Sequence, residues 1–178
     1  MQKAIDAVRT GGIIAYPTEG VYGLGCDPHN QVALQRIIDL KGRDSHKGFI
    51  IVASSQGQLA GFMAPVQDDW QTQFDQAWPG PVTFIVPAIE GISGLLSGYR
   101  DSMAVRVSNH PIVCGLCRLY GGALVSTSAN RSGREALKSA EDVQIEFGGG
   151  IDVVVDGPLG GLTTSTTIID VKTGARLR

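Results

Sequence analysis

The chain has 178 residues, of which 24 are glycine and 18% are charged, and its formal net charge at pH 7 is −2. With 43% apolar residues and so little net charge, the composition excludes a disordered chain, and the glycines lack the period of three that collagen requires. The length suits one folded unit around a single core, so we expect one domain over residues 1–178.

Helical and strand patterns alternate along the chain. Apolar spacing and end signals predict helices over residues 2–9, 31–40, 68–77, 108–120 and 139–147, with a short helix opening at Ser55. Compact apolar runs predict strands over residues 12–16, 49–53, 82–86, 103–107, 123–126, 152–155 and 167–171. Because strands alternate with helices but some follow one another directly, we predict an α/β fold with a mixed sheet.

Apolar runs, the N-terminal residues and the cysteine count bear on the cellular compartment in which we expect the protein. No apolar run reaches the roughly 18 residues that a membrane span needs, and the first six residues carry an acid and lack the apolar stretch of a signal peptide. Three cysteines are an odd number and too few for a disulfide framework. We therefore expect a cytoplasmic protein without membrane contact.

Charge is unevenly distributed despite the small net value. Residues 100–138 carry six bases against two acids, a net charge of +4, whereas residues 141–156 carry five acids and no base. Such segregation is compatible with a surface that faces an anion, and equally with charges that scatter after folding.

Three basic residues fall in a short segment after the second helix, at Lys41, Arg43 and Lys47. In an extended chain, side chains two apart point to the same side, so Lys41 and Arg43 could converge on phosphate oxygens. Gly42 and Gly48 would let a ligand approach the backbone. The alternative is a helix C-terminus stabilised by basic side chains.

A second polar segment follows the strand at 123–126. Ser126, Ser128 and Asn130 would share one face if the strand geometry continued, beyond the carboxyl end of a strand, where open α/β sheets bind ligands. Hydroxyl and amide groups donate to anionic oxygens without adding charge. The alternative is a turn in which these side chains satisfy their own backbone.

Two further segments are candidates for ligand binding. Residues 15–25 contain three glycines but not the dinucleotide fingerprint, so they could wrap a small ligand or form a structural loop. Arg106 stands among apolar strand positions, where a covered arginine needs a partner. That partner would be a core acid, or the carboxylate or phosphate of a ligand.

The cysteines and histidines predict no metal site. Cys114 and Cys117 have C-x-x-C spacing but lie in an apolar helical stretch, so structural packing is favoured over redox or metal use. His29, His46 and His110 lack the spacing of paired metal ligands.

Taken together and in order, these motifs resemble the YrdC/TsaC family of L-threonylcarbamoyladenylate synthases, in its short bacterial form. The resemblance covers nearly the whole chain. The motifs that carry it lie at Pro17–Gly25, Lys41 with Arg43, Trp78–Thr83, Val105–Val107, Ser128 with Asn130, and Thr166–Asp170. It implies a YrdC-like fold, a twisted mixed sheet flanked by helices with a concave, positively charged cleft.

The resemblance also implies a reaction. L-threonine, bicarbonate and ATP, with Mg²⁺ accompanying ATP, would give threonylcarbamoyl-AMP and pyrophosphate. The adenylate would serve the threonylcarbamoyladenosine modification of tRNA at position 37, through downstream threonylcarbamoyl-transfer proteins. Binding of tRNA or double-stranded RNA by the chain itself is a further possibility.

The same resemblance implies roles for individual residues. Lys41 and Arg43 would be catalytic and would bind ATP. The other implied ATP ligands are Lys47, Ser128, Asn130 and Arg178. The implied threonine ligands are Thr18, Arg106, Ser126 and Thr166.

The sequence departs from the family pattern at three positions, all on the threonine side. Gly20 stands where many relatives have threonine, Val52 where many have a histidine, and Thr166 where many have serine.

Two other functions compete with the synthase. One is an RNA-binding module without chemistry, and the other is a carbamoyl-adenylate enzyme that uses carbamoyl phosphate, against which the short length argues.

Overall fold

The computed structural model describes residues 1–163 and 166–178. The helices are α1 Gln2–Arg9, α2 Gln31–Lys41, α3 Asp68–Ala77, α4 Gly94–Ser97, α5 Pro111–Tyr120 and α6 Ala140–Phe147. The strands are β1 Ile14–Pro17, β2 Tyr22–Gly25, β3 Ile50–Ala53, β4 Val82–Pro87, β5 Ser102–Val107, β6 Leu124–Ser128, β7 Val153–Val154 and β8 Thr167–Asp170. Short 3-10 turns lie at Ser45–Lys47, Gln56–Leu59 and Gly148–Gly150.

The strands form one mixed sheet in the order β7-β1-β2-β6-β3-β5-β4-β8. Three pairs are parallel, namely β1 with β7, β3 with β5 and β4 with β8. The other four neighbouring pairs are antiparallel. The predicted α/β class with a mixed sheet is therefore confirmed.

The sequence predictions missed β2 and α4. Strand β2 reads Tyr-Gly-Leu-Gly, and glycine favours strands so weakly that the sequence predicts either a ligand-wrapping segment or a structural loop there. In the structure it forms an antiparallel hairpin with β1, with Tyr16 opposite Gly23. Helix α4 has only four residues, too few to show a periodic pattern.

The sheet buries apolar side chains on both faces because its strands alternate. Ala15 belongs to the larger core cluster, whereas its neighbours Ile14 and Tyr16 belong to a smaller one. The larger cluster contains the apolar faces of α2, α3 and α6. The smaller cluster is filled by α1 and α5, which pack against each other.

Helices α1 and α5 cover only part of their face of the sheet. On β5 the side chains of Val105 and Val107 enter the larger cluster, so Ala104 and Arg106 point to the opposite face. Both of these residues line a cavity and are not covered by an apolar helix face. The incomplete helical cover thus leaves a concave site on the sheet. Within the described part of the chain, no helix is both long and apolar enough to cross a membrane.

Candidate active site

A cavity of about 700 Å³ lies over the uncovered part of the sheet. Six strands contribute lining residues to its floor, which includes Gly23, Ile50, Ile85, Ala104, Arg106, Ser126, Ser128 and Ile168. Gly20 and Val21, from the β1–β2 turn, complete the wall beside β2. The glycine-rich segment therefore does border a ligand-sized space, as one of its two interpretations predicted.

Besides Arg106, five basic side chains line the cavity and form what we call the basic rim: Arg43, Lys47, Arg100, Lys138 and Arg178. The sequence predictions named Arg43, Lys47 and Arg178, and the structure brings these three together. Arg100 and Lys138 were not predicted as site residues. Their only sequence signal is membership of the basic segment 100–138.

A close backbone contact brings Arg100 to the rim. Gly48 and Gly98 both have positive φ, of 59° and 69°, and a Cβ atom on Gly48 would lie 2.8 Å from the carbonyl carbon of Ser97. Only glycines allow the 46–48 turn to lie this close to the end of α4. The Arg100 guanidinium then donates to the carbonyl of His46 at 2.6 Å.

Lys41 occupies a different position from Arg43. Helix α2 continues through Lys41 and ends at Gly42, which has a left-handed conformation, so the expected side-by-side convergence of Lys41 and Arg43 in an extended chain is wrong. Lys41 is 3% exposed, and its ammonium group donates to the carbonyl oxygens of Ser128 and Asn130 and to Asn130 Oδ1. Arg43 instead lines the cavity and donates to the Gly48 carbonyl at 2.7 Å.

Lys41, Ser128 and Asn130 form one hydrogen-bonded unit. Asn130 Oδ1 accepts from the Ser128 hydroxyl at 2.6 Å, and Asn130 Nδ2 donates to the carbonyls of Arg131 and Arg134. Ser128 lines the cavity, whereas Lys41 and Asn130 lie behind it. Direct contacts from Lys41 and Asn130 to a nucleotide stay predictions.

Burial shifts the pKa values of the basic groups around the cavity. Burial, followed by the nearby charges of Arg43 and Lys47, lowers the pKa of Lys41 to about 7. Burial also lowers the pKa of Arg43, and burial together with Arg106 lowers that of Arg178. Each lowered pKa means that burial disfavours the charged form of the side chain. An anion in the cavity would raise these pKa values again, since it would interact favourably with the charged forms.

Arg106 is the most buried cation at the cavity, with 4% of its surface exposed. Its Nη2 lies 3.3 Å from Glu19 Oε2, and its Nη1 donates to Thr166 Oγ1 at 3.1 Å. Its Nε is buried and has no hydrogen-bond partner in residues 1–163 and 166–178. A buried guanidinium with unused donors fits the carboxylate or phosphate of a ligand.

The other predicted threonine ligands line the same cavity as Arg106. Thr18, Ser126 and Thr166 all line the cavity. The Thr18 hydroxyl donates to the carbonyl of Val21 at 2.7 Å. Arg178 Nε donates to the carbonyl of Thr166 at 3.2 Å, so Thr166 contacts both Arg106 and Arg178. Val52 is the register partner of Arg106 on the neighbouring strand, but its side chain is buried in the smaller cluster and does not line the cavity.

The thiols lie outside the cavity. Cys26, Cys114 and Cys117 are free and buried, and burial raises the pKa of Cys117 to about 12. Such protonated, buried thiols match the predicted role in packing. In residues 1–163 and 166–178, no group of three His, Cys, Asp or Glu side chains is placed to hold a metal ion.

The site combines many cationic and hydroxyl donors with few groups that could act as a base. Such a cavity can orient an anionic nucleophile against a polyphosphate and stabilise charge that develops on the phosphate oxygens. The geometry therefore suits nucleotidyl transfer in which the nucleophile is already ionised.

Comparison with known proteins agrees with this assignment. The Sua5/YciO/YrdC family model, described as "Telomere recombination", matches residues 6–178. The threonylcarbamoyl-AMP synthase of Halorhodospira halophila is 46% identical over 178 residues, covering 100% of this chain and 93% of that protein. The corresponding protein of Nitrosococcus oceani is 45% identical over 178 residues, covering 100% of this chain and 96% of that protein.

Solved structures show the same relationship. P. abyssi Sua5 in complex with L-threonine superposes with a TM-score of 0.90 at 32% identity, over 97% of this chain and 51% of that protein, so this chain spans about half of its length. E. coli YciO superposes with a TM-score of 0.86 at 27% identity, over 98% of this chain and 86% of that protein. On these matches, the chain belongs to the Sua5/YciO/YrdC family.

Proposed function

We propose that this chain is a threonylcarbamoyl-AMP synthase. It joins L-threonine, bicarbonate and ATP into L-threonylcarbamoyl-AMP with release of pyrophosphate. The observation that carries the proposal is the single cavity that combines the basic rim with the buried Arg106, in a chain whose full-length relatives bear the name of that enzyme. An RNA-binding module without chemistry is not favoured by these relatives.

The reaction proceeds in two steps. The threonine amine adds to the carbon of bicarbonate and forms a carbamate, and the bicarbonate hydroxyl leaves as water with a proton from the amine. With CO₂ in place of bicarbonate, the amine proton passes to solvent. A carbamate oxygen then attacks the α-phosphorus of ATP, and the bond to the bridging oxygen of pyrophosphate breaks. Because the carbamate is already anionic, the protein needs no strong base, and its contribution is orientation and charge stabilisation.

The basic rim holds the triphosphate. Arg43, Lys47, Arg100, Lys138 and Arg178 all line the cavity and compensate the charge that passes to the leaving pyrophosphate. Ser128 offers a hydroxyl from the end of β6. Lys41 and Asn130 fix the end of β6 that carries Ser128.

Arg106 binds the threonine carboxylate. Its contacts with Glu19 and Thr166 leave further N–H donors for a carboxylate. Thr166 also accepts a hydrogen bond from Arg178 through its carbonyl, which links the amino-acid side of the cavity to the basic rim. Threonine and the nucleotide would therefore meet beside Thr166.

Mg²⁺ enters with ATP in this proposal. The hydroxyl oxygens at the cavity, including Ser126 and Ser128, could contact the hydration shell of an ion that the phosphates carry. That ion would neutralise phosphate charge. The proposed role in threonylcarbamoyladenosine formation on tRNA implies a cytoplasmic location and transfer proteins that act downstream. Direct binding of RNA stays a prediction.

One assay tests the reaction. The protein is incubated with ATP, Mg²⁺, bicarbonate and each of several amino acids, and pyrophosphate release is followed. We expect release that requires threonine and bicarbonate together, and threonylcarbamoyl-AMP detected by mass spectrometry. Release with carbamoyl phosphate in place of both co-substrates, or salt-sensitive RNA binding without any turnover, would contradict the proposal.

A further inference from the structure

We propose that Glu19 is a positioning residue that holds the Arg106 guanidinium in the orientation that receives the amino-acid carboxylate. The inference rests on the proposed function, because it assigns the carboxylate of the amino-acid substrate to Arg106. It concerns a residue that lies behind the cavity lining and that the sequence motifs did not single out as a ligand.

Glu19 is held between two side chains of the β5 region. It is 3% exposed; its Oε1 accepts from the Ser108 hydroxyl at 2.6 Å, and its Oε2 lies 3.3 Å from Arg106 Nη2. Arg106 and Ser108 are two residues apart, so they project to the same side of the extended chain. Oε1 is therefore hydrogen-bonded from this edge of β5, whereas Oε2 makes the ion-pair contact with Arg106 and has no hydrogen-bond partner among the described residues.

Two hydrogen bonds hold Ser108 in place, so its contact with Glu19 restricts the movement of the Glu19 carboxylate. Its backbone N–H donates to the carbonyl of Ala53 at 3.0 Å, and its hydroxyl oxygen accepts from the backbone N–H of His110 at 3.0 Å. Ser108 is fully buried. A carboxylate bonded to such a group has little freedom to turn, and the same holds for the guanidinium that faces it.

A chain segment fastened over Glu19 keeps this arrangement away from water. The backbone N–H of Leu162 donates to the Glu19 carbonyl at 2.9 Å, and that of Gly160 donates to the Thr18 carbonyl at 3.0 Å. A Cβ atom on Gly160 would lie 2.9 Å from Glu19 Cα, so the segment lies directly on Glu19. His110 Nε2 holds the same segment through the Pro158 carbonyl at 3.1 Å.

These contacts constrain Arg106 from two directions and leave donors for a ligand. Thr166 accepts from Nη1 and Glu19 faces Nη2, which fixes the rotation of the guanidinium plane. Simple electrostatics and positioning then predict opposite effects of removing the Glu19 charge. Loss of a nearby anion alone would strengthen the attraction between Arg106 and a carboxylate, whereas loss of orientation would weaken binding.

The test is threonine binding by the full chain, measured by isothermal titration calorimetry without ATP, together with steady-state kinetics. For Glu19→Gln we expect the threonine Kd and KM to rise at least tenfold, with the ATP KM changed less than twofold. Ser108→Ala, which keeps the Glu19–Arg106 pair but frees the carboxylate, should raise the threonine KM about threefold. Glu19→Asp should recover part of the affinity, and exposed Glu90→Gln should behave as the wild type.

The outcomes separate this inference from the proposed function. An unchanged or tighter threonine Kd in Glu19→Gln overturns the positioning role. Equal increases in the threonine and ATP KM values across Glu19→Gln and Ser108→Ala, with lowered melting temperatures, would show a general structural role and also overturn it. A wild-type protein that binds no threonine contradicts the proposed function itself.

Discussion

Lys41 Nζ lies 3.1 Å from Asn130 Oδ1 and also donates to the backbone carbonyls of Ser128 and Asn130, so all three of its N–H donors are used inside the protein. Ser128 and Asn130 lie 87 and 89 residues further along the chain. A single buried ammonium group therefore joins the end of α2 to the loop that follows β6.

This relationship predicts that replacing Lys41 affects stability as well as ATP use. Lys41→Met removes the donor to all three oxygen acceptors, two of which the neutral amine can still serve at pH 8, so we expect the free energy of unfolding at that pH to fall by about 1–3 kcal/mol. Urea unfolding measures it. The matched variant is Lys47→Met, because Lys47 lines the cavity on the exposed rim, and it should raise the ATP KM with little loss of stability.

If Lys41→Met is as stable as the wild type but fails to use ATP, the three contacts contribute little and Lys41 acts directly on the phosphates. If Lys47→Met destabilises the protein as strongly as Lys41→Met, the distinction between a buried and a rim lysine is wrong.

The lowered pKa of Lys41 gives a second prediction, on the pH dependence of stability. The unfolded chain keeps this lysine protonated up to its ordinary value of 10.5, whereas in the folded protein it loses its proton near pH 7. Between these values the unfolded state binds more protons, so this group makes the free energy of unfolding rise with pH. The slope approaches about 1.4 kcal/mol per pH unit.

The measurement is urea unfolding of the wild type and Lys41→Met at pH values from about 6.5 to 9.5, at roughly unit spacing. Groups that titrate in both proteins cancel in the difference between the two curves. We expect the wild type to gain stability relative to the variant as the pH rises. Parallel curves would show that the three acceptor oxygens keep Lys41 protonated.

The fold was predictable where local pattern and tertiary structure agree. The apolar runs at 49–53 and 103–107 became β3 and β5, since β-branched residues fit a buried strand. Strand β2 was not predictable in the same way. Its glycines oppose strand formation locally, and the reason for them lies in distant contacts, with the Tyr16 ring and the Val125 carbonyl filling the space beside Gly25.

The site was predictable in composition more than in geometry. Hydroxyls, bases and Arg106 were identified from their residue types, but the spacing of Lys41 and Arg43 predicted convergence that the continued helix α2 prevents. Arg100 could not be assigned from sequence, because it reaches the rim through the contact between Gly48 and Gly98, fifty residues apart. Glu19 lies in the Pro17–Gly25 motif, but its role could not be assigned from sequence, since its partners come from the β5 region and from residues 160–162.

The two rim cations missed by the sequence give a third prediction. Arg100→Ala and Lys138→Ala should each raise the ATP KM about three- to tenfold, as expected for partly exposed charges near a polyphosphate. The threonine KM should stay within twofold. The effect should shrink at high salt because exposed charges are screened. Arg118→Ala, which removes an exposed base of the same segment from α5, is the matched control.

Steady-state kinetics at two salt concentrations measures these effects. If Arg100→Ala and Arg118→Ala have the same ATP KM, Arg100 does not contribute to ATP binding. A threonine KM that rises as much as the ATP KM would mean that the rim and Arg106 do not divide the substrates between them.

Arg106 itself supports a fourth prediction. Arg106→Lys keeps the charge beside Glu19 but loses the planar fork that can donate to Thr166 and a carboxylate together. We expect the threonine KM to rise by at least a hundredfold while the ATP KM changes little, as kinetics with each substrate varied in turn would show. A threonine KM near that of the wild type would mean that charge alone recognises the amino acid.

A fifth prediction concerns Gly25 and explains why β2 must be rich in glycine. A Cβ atom at this position would lie 2.8 Å from Tyr16 Cε1 and closer still to the carbonyl oxygen of Val125. Those two groups are joined by a hydrogen bond, since the Tyr16 hydroxyl donates to that carbonyl at 2.9 Å. Gly25→Ala therefore forces apart a buried pair in the centre of the sheet, and overpacking of this kind costs about 1–3 kcal/mol.

Thermal and urea unfolding measure the loss, with Gly57→Ala as the matched control. Gly57 has open space where a Cβ atom would stand, so alanine there should leave stability unchanged or raise it by a few tenths of a kcal/mol. Strand β2 also pairs with β6, which carries Ser126 and Ser128, so Gly25→Ala should reduce pyrophosphate release as well. If Gly25→Ala has the same melting temperature as Gly57→Ala, the sheet tolerates the added methyl group. The requirement for glycine at Gly25 then has a cause other than packing.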